Sequence, residues 1–156
     1  MAAPNTLPLV KVTALFSPLD GAPALLPLAH CGVSAGFPSP ALDHAEEPLD
    51  IGAYLIRHPA STFLIKASGD SMNGKGILDG ALLVVDRSEQ ARDGDIVIAV
   101  LDGELLVKQL RLVKGQAFLE SGNDRFPSVK VSGENSVWGV VVHAINSFRR
   151  PHVRSV

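Results

Sequence analysis

Residues 96–112 read Ile-Val-Ile-Ala-Val-Leu-Asp-Gly-Glu-Leu-Leu-Val-Lys-Gln-Leu-Arg-Leu, two apolar runs separated by an Asp-Gly pair. Asp102-Gly103 is typical of a two-residue hairpin turn, which requires positive backbone φ angles that Asp and Gly tolerate. The stretch therefore predicts paired strands at 96–101 and 104–112. Further β-type runs bounded by turn residues predict strands at 62–67, 82–86, 116–120, 128–131 and 137–143. This spacing indicates a mainly β fold, a curled antiparallel sheet with a barrel-like shape.

Lys108 lies in the second strand of this hairpin, where period-2 alternation places it on the face of Leu106 and Leu110. The opposite face includes Gln109 and Arg111, so we expect it to be the more wettable one. Burial disfavours an ammonium group and lowers its pKa from the ordinary value near 10.4. A lysine on an apolar face can therefore act as a general base.

A candidate nucleophile precedes this lysine in the run Ser68-Gly69-Asp70-Ser71-Met72. A serine hydroxyl is a poor nucleophile until a nearby base takes its proton. Taken separately, neither residue is persuasive, because Gly-Asp-Ser is an ordinary turn composition and a strand lysine usually keeps its ammonium in water.

The motifs between Phe63 and Leu112 resemble, in order and spacing, the self-cleaving LexA/UmuD peptidase family, peptidase S24. They are the Ser68–Met72 run, Asp79-Gly80, Gly94-Asp95-Ile96-Val97 and Val107-Lys108. The resemblance implies the LexA/UmuD C-terminal peptidase fold, with Ser71 as nucleophile and Lys108 as general base and acid. It also implies an oxyanion hole formed by the backbone N–H groups of Asp70 and Ser71, and a reaction without metal or cofactor.

Residues 36–41, Gly-Phe-Pro-Ser-Pro-Ala, resemble the cleavage region of the UmuD branch of this family. In that branch the cut falls directly before Gly-Phe-Pro-Ser-Pro, which implies that Ala35-Gly36 is the scissile bond. Cys31-Gly32 is the runner-up, although three extra residues would separate it from this landmark. Only 35 residues precede Gly36, too few for the winged helix-turn-helix domain of LexA-type repressors plus a linker.

The UmuD resemblance also implies partners and a cellular role. Cleavage would be stimulated by the RecA filament on single-stranded DNA, acting as a co-protease in the SOS response. The shortened product would form a homodimer and join a UmuC-like Y-family polymerase for DNA synthesis past lesions. Cleavage in cis or in trans stays open, because the segment from Ala35 to Ser71 spans on the order of 100 Å when extended.

Other functions fit parts of the same sequence. Gly69–Lys75 matches the start of a phosphate-binding P-loop, but Gly76 stands where Ser or Thr must hold magnesium. Bacterial signal peptidases use a similar Ser-Lys pair but need a membrane anchor, for which the proline-broken start offers no segment. A LexA-like repressor fragment or dimerisation module is the main alternative, and an assay of sequence-specific DNA binding distinguishes it.

Composition argues against direct nucleic-acid binding and against metal. The formal net charge of −2 and the 5% aromatic content provide neither a basic footprint nor a stacking platform, despite the basic run at 149–154. The single cysteine, Cys31, excludes an internal disulfide, and the five histidines lack metal-ligand spacing. The apolar runs are too short to span a membrane, so we expect a cytoplasmic protein.

We divide the chain into a proline-rich arm with the cleavage site (1–47), a peptidase domain (48–147) and a basic tail (148–156). Eight of the eleven prolines lie in the first 50 residues, so we expect an extended arm without regular sheet or helix. Its apolar residues suggest that it lies against the folded domain of its own chain or of a partner. Asp50 predicts the N-cap of a short helix ending at Pro59, with Ile51, Tyr54, Leu55 and His58 on one face.

Overall fold

The structure is a computed structural model that describes residues 11–16, 22–28, 48–132 and 136–149. Its elements are, in chain order, β1 (Lys11–Phe16), β2 (Leu25–Pro27), β3 (Pro48–Asp50), α1 (Ile51–Leu55), β4 (Thr62–Ser68), β5 (Leu82–Asp86), β6 (Ile96–Leu101), β7 (Glu104–Val113), β8 (Gln116–Glu120), β9 (Val129–Lys130) and β10 (Ser136–Ile145). Two short 3-10 helices, Pro59–Ser61 and Asn73–Lys75, flank β4.

Eight of these strands form one antiparallel sheet in the order β1-β4-β5-β10-β6-β7-β8-β9. β1 also pairs with β7, through Lys11 and Leu106, so the sheet closes on itself into a ring of six strands. The predicted mainly β, curled and barrel-like fold is therefore confirmed. Closure removes the open sheet edge at β1, while β9 stays at the other end of the strand order. It also positions β4 and β7, which lead to Ser71 and carry Lys108.

The strands predicted from β-type runs and turn residues are all present, with ends displaced by no more than two residues. Asp102 and Gly103 turn the β6–β7 hairpin with φ angles of 51° and 78°. Lys114 and Gly115 turn the β7–β8 hairpin in the same way, with φ angles of 50° and 77°. Both turns are of the type whose twist matches that of paired strands, and they determine the register around Lys108.

The expectation that the arm lacks regular structure is wrong for two segments. Lys11–Phe16 forms β1 and pairs with β4, so this part of the arm lies against the folded domain of its own chain. Leu25–Pro27 forms β2 and pairs with β3. The density of prolines misled the prediction for β1, because Pro8 and Pro18 flank the strand without interrupting its hydrogen-bonding N–H groups.

Two hydrophobic clusters lie on opposite faces of β7. Leu106 and Leu110 pack with Val97, Ala99, Leu101 and Leu119, on the face that also carries Lys108. Val107 packs on the other face with a cluster that includes Ile98. The opposite face is the more wettable of the two, as expected, because Gln109 and Arg111 are half-buried there, although Val107 is fully buried.

The chain forms two compact units, one comprising Met1–Pro18 with His58–Val156 and the other Leu19–Arg57. In the second unit, Asp50 caps α1 by accepting from the N–H groups of Gly52 and Ala53, as predicted. However, α1 ends at Leu55, Tyr54 is exposed, and His58 lies outside the helix. The helix is too short for a buried face because Ile56 is already extended. In the described part of the chain, no helix has the length and apolarity needed to cross a membrane.

Candidate active site

Ser71 lies in a tight turn that follows β4. Gly69 adopts a φ of 109°, a conformation that strongly favours glycine, and its N–H donates to Asp79 Oδ1 at 2.8 Å. The N–H of Asn73 donates to the carbonyl of Asp70 at 3.1 Å and closes the turn. Met72 is fully buried in the core cluster, which anchors the turn to the sheet. Ser71 itself is fully buried, so its hydroxyl lies in a water-poor site.

The segment after Ser71 is a loop between two antiparallel strands. Asn73–Lys75 forms a single 3-10 turn, and Gly76 ends it in the left-handed conformation with a φ of 79°. A P-loop requires a parallel strand followed by a helix whose N-terminus faces the phosphates. β4 and β5 instead pair antiparallel, which agrees with the prediction that this segment is only a loop after the nucleophile.

Lys108 is buried on β7, on the apolar face that its alternation predicted. Its cross-strand neighbour on β6 is Val97, and Leu106 and Leu110 flank it along its own strand. Burial lowers the pKa of Lys108, since the ammonium loses hydration in this apolar setting. A lowered pKa increases the fraction of neutral amine, which is the form that accepts a proton.

The amine of Lys108 is hydrogen-bonded to Ser121, with Nζ donating to Ser121 Oγ at 2.6 Å. Ser121 is itself buried and follows the last residue of β8. The ring of Phe126 lies farther along the same segment, with its centroid 5.7 Å from Nζ. The segment after β8 therefore covers Lys108, so that a hydroxyl and an aromatic ring both approach the amine.

The same segment contacts the Ser71 turn. The N–H of Gly122 donates to the carbonyl of Ser71 at 2.6 Å. A Cβ at position 122 would approach the Met72 Cα to 2.7 Å, so only glycine allows the two backbones to come this close. Ser71 and Lys108 therefore contact adjacent residues of one dipeptide, Ser121-Gly122, although they are 37 residues apart in the chain.

Ser121 is a site residue that the interpretation of the sequence missed, although a signal for it was present. Lys114-Gly115 is a two-residue turn, and it pairs Gln109 with Glu120 across the hairpin. Extending that antiparallel register by one residue places Ser121 opposite Lys108. A prediction that paired the strands, in addition to locating them, would have found this contact.

The other predicted site residues are less constrained by the structure. Asp70 lies in the turn with an exposed side chain, and only its backbone enters the predicted oxyanion hole. The predicted scissile bond Ala35-Gly36 and its runner-up Cys31-Gly32 lie outside the described residues. Their identity stays a prediction.

A second polar cluster surrounds Asp86 at the end of β5. Its carboxylate accepts from Ser61 Oγ at 2.8 Å and from the Ser88 hydroxyl and N–H at 2.7 and 2.8 Å, and it lies 2.6 Å from His58 Nδ1. Burial raises the pKa of Asp86, but the hydrogen bonds from Ser88, His58 and Ser61 outweigh it and hold the pKa far below its ordinary value.

His58, Asp86 and Glu89 also bring three possible metal ligands within 4.8 Å of one another. Histidine spacing in the sequence did not indicate this group, because the fold and not the local sequence assembles it. His58 Nδ1 and both Asp86 oxygens already have partners within the protein. The arrangement is therefore that of a hydrogen-bonded structural cluster in which the carboxylate stays ionised.

Comparison with known proteins identifies the family of the chain. Residues 27–142 match the model of the Peptidase S24-like family. Protein ImpA of Salmonella typhimurium is 49% identical over 116 residues, which cover 74% of this chain and 79% of ImpA. Protein SamA of the same species is 48% identical over 115 residues, 74% of this chain and 81% of SamA.

A more distant relative is the LexA repressor of Alcanivorax borkumensis, 37% identical over 105 residues. The match covers 67% of this chain but only 51% of that repressor. The similarity to LexA is thus confined to about half of the repressor, whereas ImpA and SamA match over most of their length. The chain therefore belongs to the peptidase S24 family of serine-type, self-cleaving proteases and is a UmuD-like member of it.

Proposed function

We propose that this protein is a cytoplasmic SOS mutagenesis protein that cleaves its own chain at Ala35-Gly36 by means of a Ser71–Lys108 dyad. RecA on single-stranded DNA stimulates the cleavage. The shortened product forms a homodimer and serves as the accessory subunit of a UmuC-like Y-family polymerase in translesion synthesis. The observation that carries the proposal is that two buried residues, Ser71 and Lys108, are each hydrogen-bonded to the Ser121-Gly122 dipeptide.

In the proposed reaction, neutral Lys108 takes the proton of the Ser71 hydroxyl while Oγ attacks the carbonyl carbon of Ala35. The tetrahedral intermediate then expels the amine of Gly36, to which Lys108 returns the proton. This leaves residue 35 joined to Ser71 as an ester, which water hydrolyses. Burial of Lys108 supports this role, since a lysine in water is almost wholly protonated near pH 7.

The backbone N–H groups of Asp70 and Ser71 are proposed to bind the developing oxyanion. Donors of this kind act best when they are held in place before charge develops. The positive φ of Gly69 and its hydrogen bond to Asp79 hold the turn from one side, and the Gly122 N–H holds the Ser71 carbonyl from the other. This double restraint supports a preorganised site.

The scissile bond is tested by the N-terminus of the large product. Cleavage at Ala35-Gly36 yields a fragment from Gly36 to Val156 that begins Gly-Phe-Pro-Ser. Cleavage at Cys31-Gly32 yields one that begins Gly-Val-Ser-Ala. We expect Gly36→Trp to stop the reaction, because a bulky side chain obstructs approach to Ser71, whereas the matched variant Cys31→Ser cleaves normally. Normal cleavage of Gly36→Trp would exclude this bond.

The partners are tested by incubating the purified chain with RecA, ATP and single-stranded DNA, and then measuring fragment masses. We expect accelerated cleavage that requires all three additions and is absent in Ser71→Ala. Co-purification of the shortened product, but not the intact chain, with a UmuC-like polymerase tests the accessory role.

A LexA-like function is the second candidate, because the LexA repressor is similar over 67% of this chain. The formal net charge of −2 disfavours direct DNA binding. Sequence-specific retention of operator-type DNA by the intact chain, lost after cleavage, would favour a repressor over the polymerase subunit.

A further inference from the structure

Lys108 needs more than burial to act on Ser71. A neutral amine has one lone pair and two N–H bonds, and the lone pair must be directed at the serine proton. The Lys108 side chain has four rotatable bonds, and its flanking neighbours Val97, Leu106 and Leu110 are apolar. Such neighbours restrict the stem by packing but cannot orient the terminal nitrogen.

Ser121 is placed to supply this orientation. It lies one residue beyond the Gln109–Glu120 pair, directly across the β7–β8 hairpin from Lys108, and its hydroxyl oxygen accepts from Nζ at 2.6 Å. An N–H engaged in this way restricts rotation about the Cε–Nζ bond. The hydroxyl also carries no charge. A carboxylate at the same place would favour the ammonium and keep the base protonated.

Gly122 relates this hydroxyl to the nucleophile. Its N–H donates to the Ser71 carbonyl at 2.6 Å, and the missing side chain lets its backbone lie against Met72. Because Ser121 and Gly122 are adjacent, the backbone that holds the Ser71 turn also positions the Ser121 hydroxyl. We infer that Ser121 is a positioning residue that orients Lys108 Nζ toward Ser71. This inference rests on the proposed function of the Ser71–Lys108 pair.

The test is spontaneous self-cleavage of the full-length chain without RecA, followed by fragment mass from pH 6 to pH 11. Ser121→Ala should lower the plateau rate about tenfold, the effect of one lost hydrogen bond to a charged or reacting group. It should also move the midpoint of the pH profile downward, because the buried ammonium loses its acceptor. Ser121→Thr retains a hydroxyl and should restore both. Ser128→Ala, an exposed serine on the same segment, should match the unchanged chain.

Titration of Lys108 by NMR in a Ser71→Ala background provides a readout that does not depend on cleavage. Adding Ser121→Ala to that background should lower the pKa of Lys108, and adding Ser128→Ala should not. A loss of packing alone would slow cleavage without moving either the titration or the pH midpoint, and Ser121→Thr would then be as slow as Ser121→Ala.

Unchanged cleavage kinetics and an unchanged Lys108 titration in Ser121→Ala would overturn the role of Ser121 but not the proposed function. Slower cleavage with no change in the midpoint of the pH profile would have the same consequence. Cleavage by Ser71→Ala at the unchanged rate would overturn the proposed function, together with the inference that rests on it. Thermal unfolding of each variant verifies that the compared chains are folded.

Discussion

Lys108 and Asp86 are both 3% exposed and lie on strands of the same sheet. Their surroundings nevertheless have opposite effects on the ionised form of each side chain. Asp86 is surrounded by donors from Ser61, Ser88 and His58, so its ionised form is favoured despite burial. Lys108 has apolar neighbours beside the Ser121 hydroxyl that accepts from it, and burial disfavours its ionised form.

The difference shows how burial alone does not determine what an ionisable group does. Hydrogen bonds to the charged form offset desolvation at Asp86, whereas at Lys108 desolvation dominates. The first arrangement stabilises a fold and holds a carboxylate inert. The second increases the fraction of the neutral amine, which is the form that a general base requires.

The largest effect on the self-cleavage rate is expected from replacing Lys108 with a residue that cannot exist as a neutral amine. Lys108→Ala lacks the base, and Lys108→Arg replaces it with a guanidinium that stays protonated. Both variants should show no detectable cleavage in an assay that follows the fragment by mass for many half-lives of the unchanged chain. Lys130→Ala, at an exposed residue of β9, is the matched control and should cleave normally. Cleavage at the usual rate by Lys108→Ala would exclude its role as base.

The next effect is the pH dependence of spontaneous cleavage. The reactive form of Lys108 is the neutral amine, which predominates above its pKa. The rate should therefore rise about tenfold for each pH unit below that pKa and level off above it. Because burial lowers this pKa, the plateau should begin below 10.5, the ordinary value for lysine. A rate that stays flat from pH 7 to pH 10 would contradict a lysine base.

Local features made most of this fold predictable. Turn pairs such as Asp102-Gly103 delimit strands, and period-2 alternation assigned Lys108 to the apolar face. Contacts that depend on pairing between distant segments were not predictable in this way. β1 is stabilised by β4, about fifty residues later in the chain, and nothing within Lys11–Phe16 specifies that partner. Ser121 is an intermediate case between local and distant features. Its contact with Lys108 follows from the register of the β7–β8 hairpin, which the sequence allows to be extended by one residue.

The Asp86 cluster is unpredictable for the same reason. Thr62 pairs with Asp86 across β4 and β5, and this pairing brings His58 and Ser61 to the carboxylate. No spacing of residues in the sequence predicts that these side chains come together. A functional histidine–aspartate pair and a structural one look alike until the number of donors around the carboxylate is known.

A smaller effect, on stability and not on chemistry, is expected from Asp86→Asn. The amide cannot accept from Ser61, Ser88 and His58 as a carboxylate does, so the free energy of unfolding should fall by about 2 to 3 kcal/mol. Cleavage by the folded fraction should change little. Glu104→Ala removes the exposed Lys11–Glu104 ion pair and should cost less than about 0.5 kcal/mol. Urea denaturation of the three chains measures both values. Equal losses in the two variants would mean that the Asp86 hydrogen bonds add no particular stability.

The smallest effect concerns acid. The pKa of Asp86 is lower in the folded chain than its ordinary value of 3.8, so its contribution to stability is fully present above about pH 5. As pH falls through 3.8 toward the lower folded pKa, the unfolded state takes up a proton that the folded state does not. Asp86 itself should therefore add no pH dependence to the stability difference between the unchanged chain and Asp86→Asn from pH 7 to pH 5. Below pH 4 that difference should narrow, by at most about 1.4 kcal/mol per pH unit.

Urea denaturation of both chains at pH 7, 5, 4 and 3 measures this difference directly. Titration of groups that lie away from Asp86 is common to the two chains and cancels in the comparison. A difference that persists unchanged at pH 3 would mean that the Asp86 charge does not stabilise the fold. In that case Asp86 and Lys108 would differ in packing and in the number of their hydrogen bonds. The charge state would then have a consequence only at Lys108.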